Sequence, residues 1–138
     1  MKSEDLDREV AERILGIRCV SQKMQHKNTD GKIPTGYRLQ WPDGQRVSAH
    51  TCFYGWGWNK TRAEAWGDCP RFSTHIETAW IVWKTLAENY QYFRLFVGAL
   101  SKQDSGNDLV NSLMKLTPEN ICRTALAVMN KAKKARTG

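Results

Sequence analysis

Arg71-Phe72-Ser73-Thr74-His75-Ile76-Glu77-Thr78-Ala79-Trp80 and Leu116-Thr117-Pro118-Glu119-Asn120-Ile121-Cys122-Arg123-Thr124-Ala125-Leu126 are built alike. Each sets a threonine ahead of apolar residues at helical spacing. In the first, Thr74 and Glu77 have capping-box spacing, in which each side chain satisfies an orphan backbone N–H. That predicts a helix over 74–89, with Ile76, Ala79, Trp80, Trp83, Leu86 and Tyr90 on one wide apolar face. In the second, Thr117 is the cap and Pro118 takes the first helical position, where its missing N–H costs nothing. A helix over 118–133 follows, with Ile121, Ala125, Val128, Met129 and Ala132 facing inward.

Between these helices, Tyr92 to Leu100 reads as the longest strand, apolar on both faces with only Arg94 charged, as a central strand would be. Ser101 to Asp108 reads as a polar turn, and Leu109 to Leu116 fits a short helix or a strand. Upstream, Tyr37, Leu39 and Trp41 alternate with Arg38 and Gln40, the period of a half-buried strand. Pro42-Asp43-Gly44 supplies a turn, and 46–53 returns as a second strand. Residues 4–15 predict an amphipathic helix, with Leu6, Val10 and Ile14 on one face, Ser3 as its cap and Gly16 as its stop. Ile17 to Val20 reads as a short extended piece, and 21–36 as a loop. The predicted fold class is α+β, a small mixed or antiparallel sheet covered by helices, in one domain over 1–138.

The chain has 138 residues, 41% hydrophobic and 25% charged, a composition for a packed domain rather than a disordered one. The acidic start Met1-Lys2-Ser3-Glu4-Asp5 has no apolar h-region, and no apolar run reaches bilayer length. A cytoplasmic location and reduced cysteines are therefore expected. The net charge is +7 and the pI about 9.4. Acids crowd the first helix, while the tail at 131–138 is basic. This balance favours an acidic protein surface, a nucleotide or nucleic acid as partner.

Three pieces of the chain carry a resemblance. They are Asp5-Leu6-Asp7-Arg8-Glu9-Val10-Ala11-Glu12-Arg13-Ile14-Leu15-Gly16, the Phe72-Ser73-Thr74 lead into Ala79-Trp80-Ile81-Val82, and Thr117-Pro118-Glu119 with Ile121 to Leu126. In order and spacing they resemble the phage ABA sandwich domain family of small bacteriophage and prophage proteins. The resemblance implies an α/β/α sandwich and a phage origin. It implies no shared activity, so no catalytic residue is carried over. The chain departs from the family pattern in the tryptophan-rich stretch before Phe72, in His75 and in the basic tail.

Catalytic and metal chemistry find little support. Cys19, Cys52, Cys69, Cys122, His26, His50 and His75 could ligate zinc, but no Cys-x-x-Cys or His-x-x-x-His brings two ligands from one segment. No nucleophile elbow or phosphate loop occurs. The expectation is no cofactor, no metal and no enzyme. The sharpest feature is the long Trp/Gly-rich loop at 54–72, where Trp56, Trp58 and Trp66 interleave with Lys60, Arg62 and Arg71. Aromatic faces can stack on bases while cations meet phosphates. The opposing reading is that loop tryptophans fold back as core lids. The leading expectation is non-catalytic binding of a host protein or an anionic ligand. A nucleic-acid-binding accessory protein using the tail and the tryptophan loop is the alternative, and a small hydrolase or zinc protein a further one.

Overall fold

The structure is a computed structural model that describes residues 1–47, 58–102 and 116–137. The single domain expected over 1–138 meets a chain that divides into two compact units. The first comprises Met1–Leu15 and Pro70–Gly138; the second, Gly16–Cys69, is inserted in sequence between its two parts. The chain is α+β, with helices and a small antiparallel sheet.

In the first unit, α1 spans Ser3–Arg13, α3 Ile76–Ala87, α4 Tyr90–Lys102 and α5 Pro118–Thr137. α1, α3 and α4 all pack against α5. The sequence of α5 explains why it can be surrounded. Ile121, Cys122, Thr124, Ala125, Leu126 and Val128 are all buried, leaving only a narrow exposed stripe through Arg123, Ala127 and Asn130. Small residues on that wide face let neighbouring helices come close. As expected, Thr117 caps α5, its Oγ1 accepting from the Asn120 N–H at 3.1 Å, and Pro118 opens it. The helix runs past residue 133.

α4 replaces the strand expected at 92–100. Phe93, Phe96, Val97 and Leu100 recur at three and four residues, so one helical face collects them. Phe96 and Leu100 are buried, and Phe93 and Phe96 both meet the Trp83 ring edge-on. Asn89 caps the helix, its Oδ1 accepting from the N–H groups of Gln91 and Tyr92. The aromatic and β-branched content that favours strands is overridden by packing on α3 and α5.

α3 starts at Ile76, not at Thr74, and the capping box expected there does not form. His75 is the N-cap and makes no side-chain cap bond. Thr78 Oγ1 instead donates to the Arg71 and His75 carbonyls, both at 2.9 Å. The buried face is also rotated from the expected one, running through Ala79, Val82 and Leu86. Trp83 is half-buried, while Ile76, Trp80 and Tyr90 are exposed, and Tyr90 belongs to α4. Trp80, expected in the core, keeps 43% of its surface in water. In α1, Lys2 rather than Ser3 holds the cap position, and Ser3 is the first helical residue. Leu6 and Val10 are buried as expected, and Ile14 is half-buried.

In the second unit, β1 (Arg18–Lys23) pairs antiparallel with β2 (Thr35–Gln40), from Arg18 opposite Gln40 to Lys23 opposite Thr35. The extended piece expected at 17–20 thus reaches Lys23, and the loop expected at 21–36 shrinks to 24–34. Gly36 is buried because the sheet needs a bare backbone there. A Cβ on it would stand 2.6 Å from Met24 Cε and 2.8 Å from Trp58 Cβ. The Pro42–Gly44 turn closes as expected. The Trp41 N–H donates to the Gln45 carbonyl at 2.8 Å, and Gly44 takes φ +89°. The chain returns with Arg46 opposite Gln40 and Val47 bonded to Leu39. Positions 48–53 of the strand expected there, and 109–115 of the element expected over 109–116, lie outside the described residues. Along the same edge of β2, away from β1, Asn59 pairs with Tyr37.

Candidate functional site

The stretch expected to recognise a ligand is largely ordered by its own local chemistry. A short helix, α2 (Arg62–Trp66), sits inside it and packs on β2. Thr61 caps it, Oγ1 accepting from the Glu64 N–H at 3.1 Å, while Glu64 Oε2 accepts from the Lys60 N–H at 3.2 Å. The threonine–glutamate cap expected at 74 and 77 is thus approximated at 61 and 64, with Glu64 reaching the N–H of Lys60, one residue ahead of the cap Thr61. Asn59 is fully buried. Its backbone exchanges two hydrogen bonds with Tyr37, and its Nδ2 donates to buried Asp68 Oδ2 at 3.1 Å. Asn59 and Asp68 tie the start of this stretch to its end. Neither residue stood out in the sequence, where Asp68 reads as an ordinary surface carboxylate.

Of the expected ligand-binding residues, Trp58, Lys60, Arg62 and Trp66 lie in the second unit and Arg71 in the first; Trp56 lies outside the described residues. Trp58 is 8% exposed. Its ring carries the Arg38 guanidinium, whose carbon is 4.3 Å from the ring centroid. Lys60 and Arg62 are exposed and Trp66 is half-buried. Arg62 lies over the Tyr37 ring at 5.1 Å. Arg71 is exposed, and its carbonyl accepts the Thr78 hydroxyl.

Arg38, which the sequence did not single out, is held by both Trp58 and Gln40. With the Gln40 amide assigned by its hydrogen bonds, Oε1 accepts from Arg38 Nε at 3.2 Å and Nη2 at 2.9 Å. A guanidinium has five donors in a planar fork. Gln40 engages the Nε side, so the end carrying Nη1 stays directed elsewhere. Trp58 below and Gln40 beside it fix the plane of the fork in advance.

The first unit holds a different polar cluster. Asp7 is buried on α1 and accepts from the Ser73 N–H at 2.7 Å. Burial raises its pKa above the ordinary 3.8, opposed by the Ser73 bond and by nearby Arg71 and His75. The buried Ser73 hydroxyl stands beside the carboxylate outside hydrogen-bond geometry. Cys122 is fully buried, and burial, then the charges of Asp7 and Glu119, push its thiol up to about 12. A thiol so raised is neutral near pH 7 and a poor nucleophile or metal ligand. Among the described residues no group of three or more His, Cys, Asp or Glu could hold a metal ion. His26 and His75 are exposed. No helix of the described residues is long and apolar enough to cross a membrane. Compared with protein-family models, curated proteins and solved structures, the chain has no match.

Proposed function

We propose that this protein is a cytoplasmic phage or prophage accessory protein that acts without catalysis, by binding a host protein's acidic surface or another anionic ligand. Host takeover or counter-defence is the role such binding would serve. One observation carries the binding reading. The second unit is basic, with eight Lys and Arg against four Asp and Glu in its sequence, and two of its guanidiniums are already parked on aromatic rings. Ordered cations lose less entropy on binding than free ones. The first unit carries thirteen Lys and Arg against ten Asp and Glu over a longer stretch of sequence, so its basic excess is more dilute.

The test is retention of the full chain on a polyanion column such as heparin. Retention that falls steeply with salt is expected, because released counterions drive such contacts. Lys60→Glu with Arg62→Glu should elute at clearly lower salt. Elution unchanged by that double reversal, or no retention at all, would count against the reading. The phage lineage has its own check, which is whether the gene lies among phage genes.

A further inference from the structure

We propose that Arg18, Arg38 and Arg46 form a phosphate-binding site on one face of the sheet of the second unit. The ligand would be a phosphate monoester or polyphosphate group, carried by a nucleotide or by the 5′ end of a nucleic acid. This deepens the anionic-ligand reading above and rests on it.

The strand register places the three arginines. Arg18 is opposite Gln40 on one side, and Arg46 is opposite Gln40 on the other. Directly paired residues stand on the same face of a sheet, with Cβ atoms about 5 Å apart. Arg38 is two residues from Gln40 along β2, so it shares that face. Three arginine positions therefore flank Gln40 on one face, the outer two separated by two strand spacings, about 10 Å. Arg18 and Arg46 are exposed and Arg38 half-buried. The other paired positions of the face, Val20, Gln22 and Gly36, bring no acid to it.

Like charges on neighbouring strands repel. An anion with more than one negative charge relieves that repulsion at a single point. A phosphate monoester carries about −1.5 to −2 near neutral pH and offers three acceptor oxygens. A carboxylate brings one charge and two oxygens, a poorer match to three forks. Arginine also binds phosphate through two parallel N–H bonds. Arg38 is set up for this because Gln40 occupies its Nε side and Trp58 holds its plane.

The experiment is calorimetric titration of the full chain with pyrophosphate, with circular dichroism of each variant to establish folding. The wild type should bind, and Arg38→Lys should weaken binding about tenfold although it keeps the charge, because the fork is lost. Arg18→Gln should weaken it comparably, and carries the test if Arg38→Lys does not fold. Competition then separates the sources. Displacement by a nucleoside diphosphate assigns the nucleotide, and displacement by a 5′-phosphorylated but not a 5′-hydroxyl single strand assigns the nucleic-acid end. Pyrophosphate binding unaltered in both variants would overturn the proposal. A wild type that ignores pyrophosphate yet is held by heparin would overturn it too and leave the broader binding reading standing. Loss of both would sink both.

Discussion

Cys122 and Asp7 sit near each other in the core of the first unit, and each makes a prediction at the scale of one residue. The Cys122 thiol, fully buried and pushed up to about 12, has almost no thiolate at neutral pH. Iodoacetamide should therefore modify Cys122 only after denaturation, whereas half-buried Cys19 and Cys69 react first. Rapid native alkylation of Cys122, read by mass spectrometry, would contradict this packing. Asp7 has its pKa raised on folding, so the folded state holds the proton more tightly than the unfolded chain. The sign follows directly. Below pH 3.8 both states are protonated and the group is neutral to stability; as pH rises through the folded pKa, ionising the buried carboxyl costs stability. Asp7→Asn removes that titration. Its melting temperature should gain on the wild type as pH rises from 3.8, and a gap that stays constant would refute the assignment. Trp80 belongs at this scale as well. With 43% of its surface exposed, Trp80→Ala should cost less than Phe96→Ala, for which about 3–5 kcal/mol is expected.

At the scale of elements, α4 is the sharpest test, because the same residues read as a strand in sequence. Gly98 is exposed within it, and a Cβ there would meet nothing within 4 Å. In a helix interior Gly98→Ala should raise stability by about 0.5–1 kcal/mol, measured by denaturant unfolding. A loss would favour the strand. Apolar content on both faces suits a strand, but two signals favour the helix, the three-and-four spacing of Phe93, Phe96, Val97 and Leu100, and Asn89 as a cap. Helix starts were legible where proline fixed the position, as at Pro118. They were misplaced where a threonine–glutamate pair recurred. Thr61–Glu64 and Thr74–Glu77 have the same spacing, and tertiary contacts decide between them. The chain before α3 gives its Ser73 N–H to Asp7, sixty-six positions away in sequence. Gly36 gives a further check on the sheet. Gly36→Ala should destabilise the second unit, since its Cβ would press on the Trp58 and Met24 side chains.

At the scale of the whole molecule, the α+β class is legible in the sequence, and the chain divides into two compact units. Nothing in Leu15-Gly16 or Cys69-Pro70 marks a boundary, because the insertion joins through ordinary turn residues. The expected binding residues divide between the two units. Trp58, Lys60, Arg62 and Trp66 do belong to one basic unit, while Arg71 belongs to the other. Arg38 escaped notice because its significance lies in Gln40 and Trp58, one beside it and one brought in from twenty positions on. Arg18 escaped because the β1–β2 register spans an irregular connection over 24–34, across which pattern alone fixes no pairing. Arg46 could have been found, since the five-residue Trp41–Gln45 turn sets it opposite Gln40. The proposed binding is carried by the sheet face of the second unit. Amide chemical-shift mapping by nuclear magnetic resonance during pyrophosphate titration tests it most directly. Shifts clustered at 18–22, 36–40 and 45–47, with α1, α3, α4 and α5 unmoved, are the predicted result. Shifts confined to those helices, or none at saturating ligand, would contradict it.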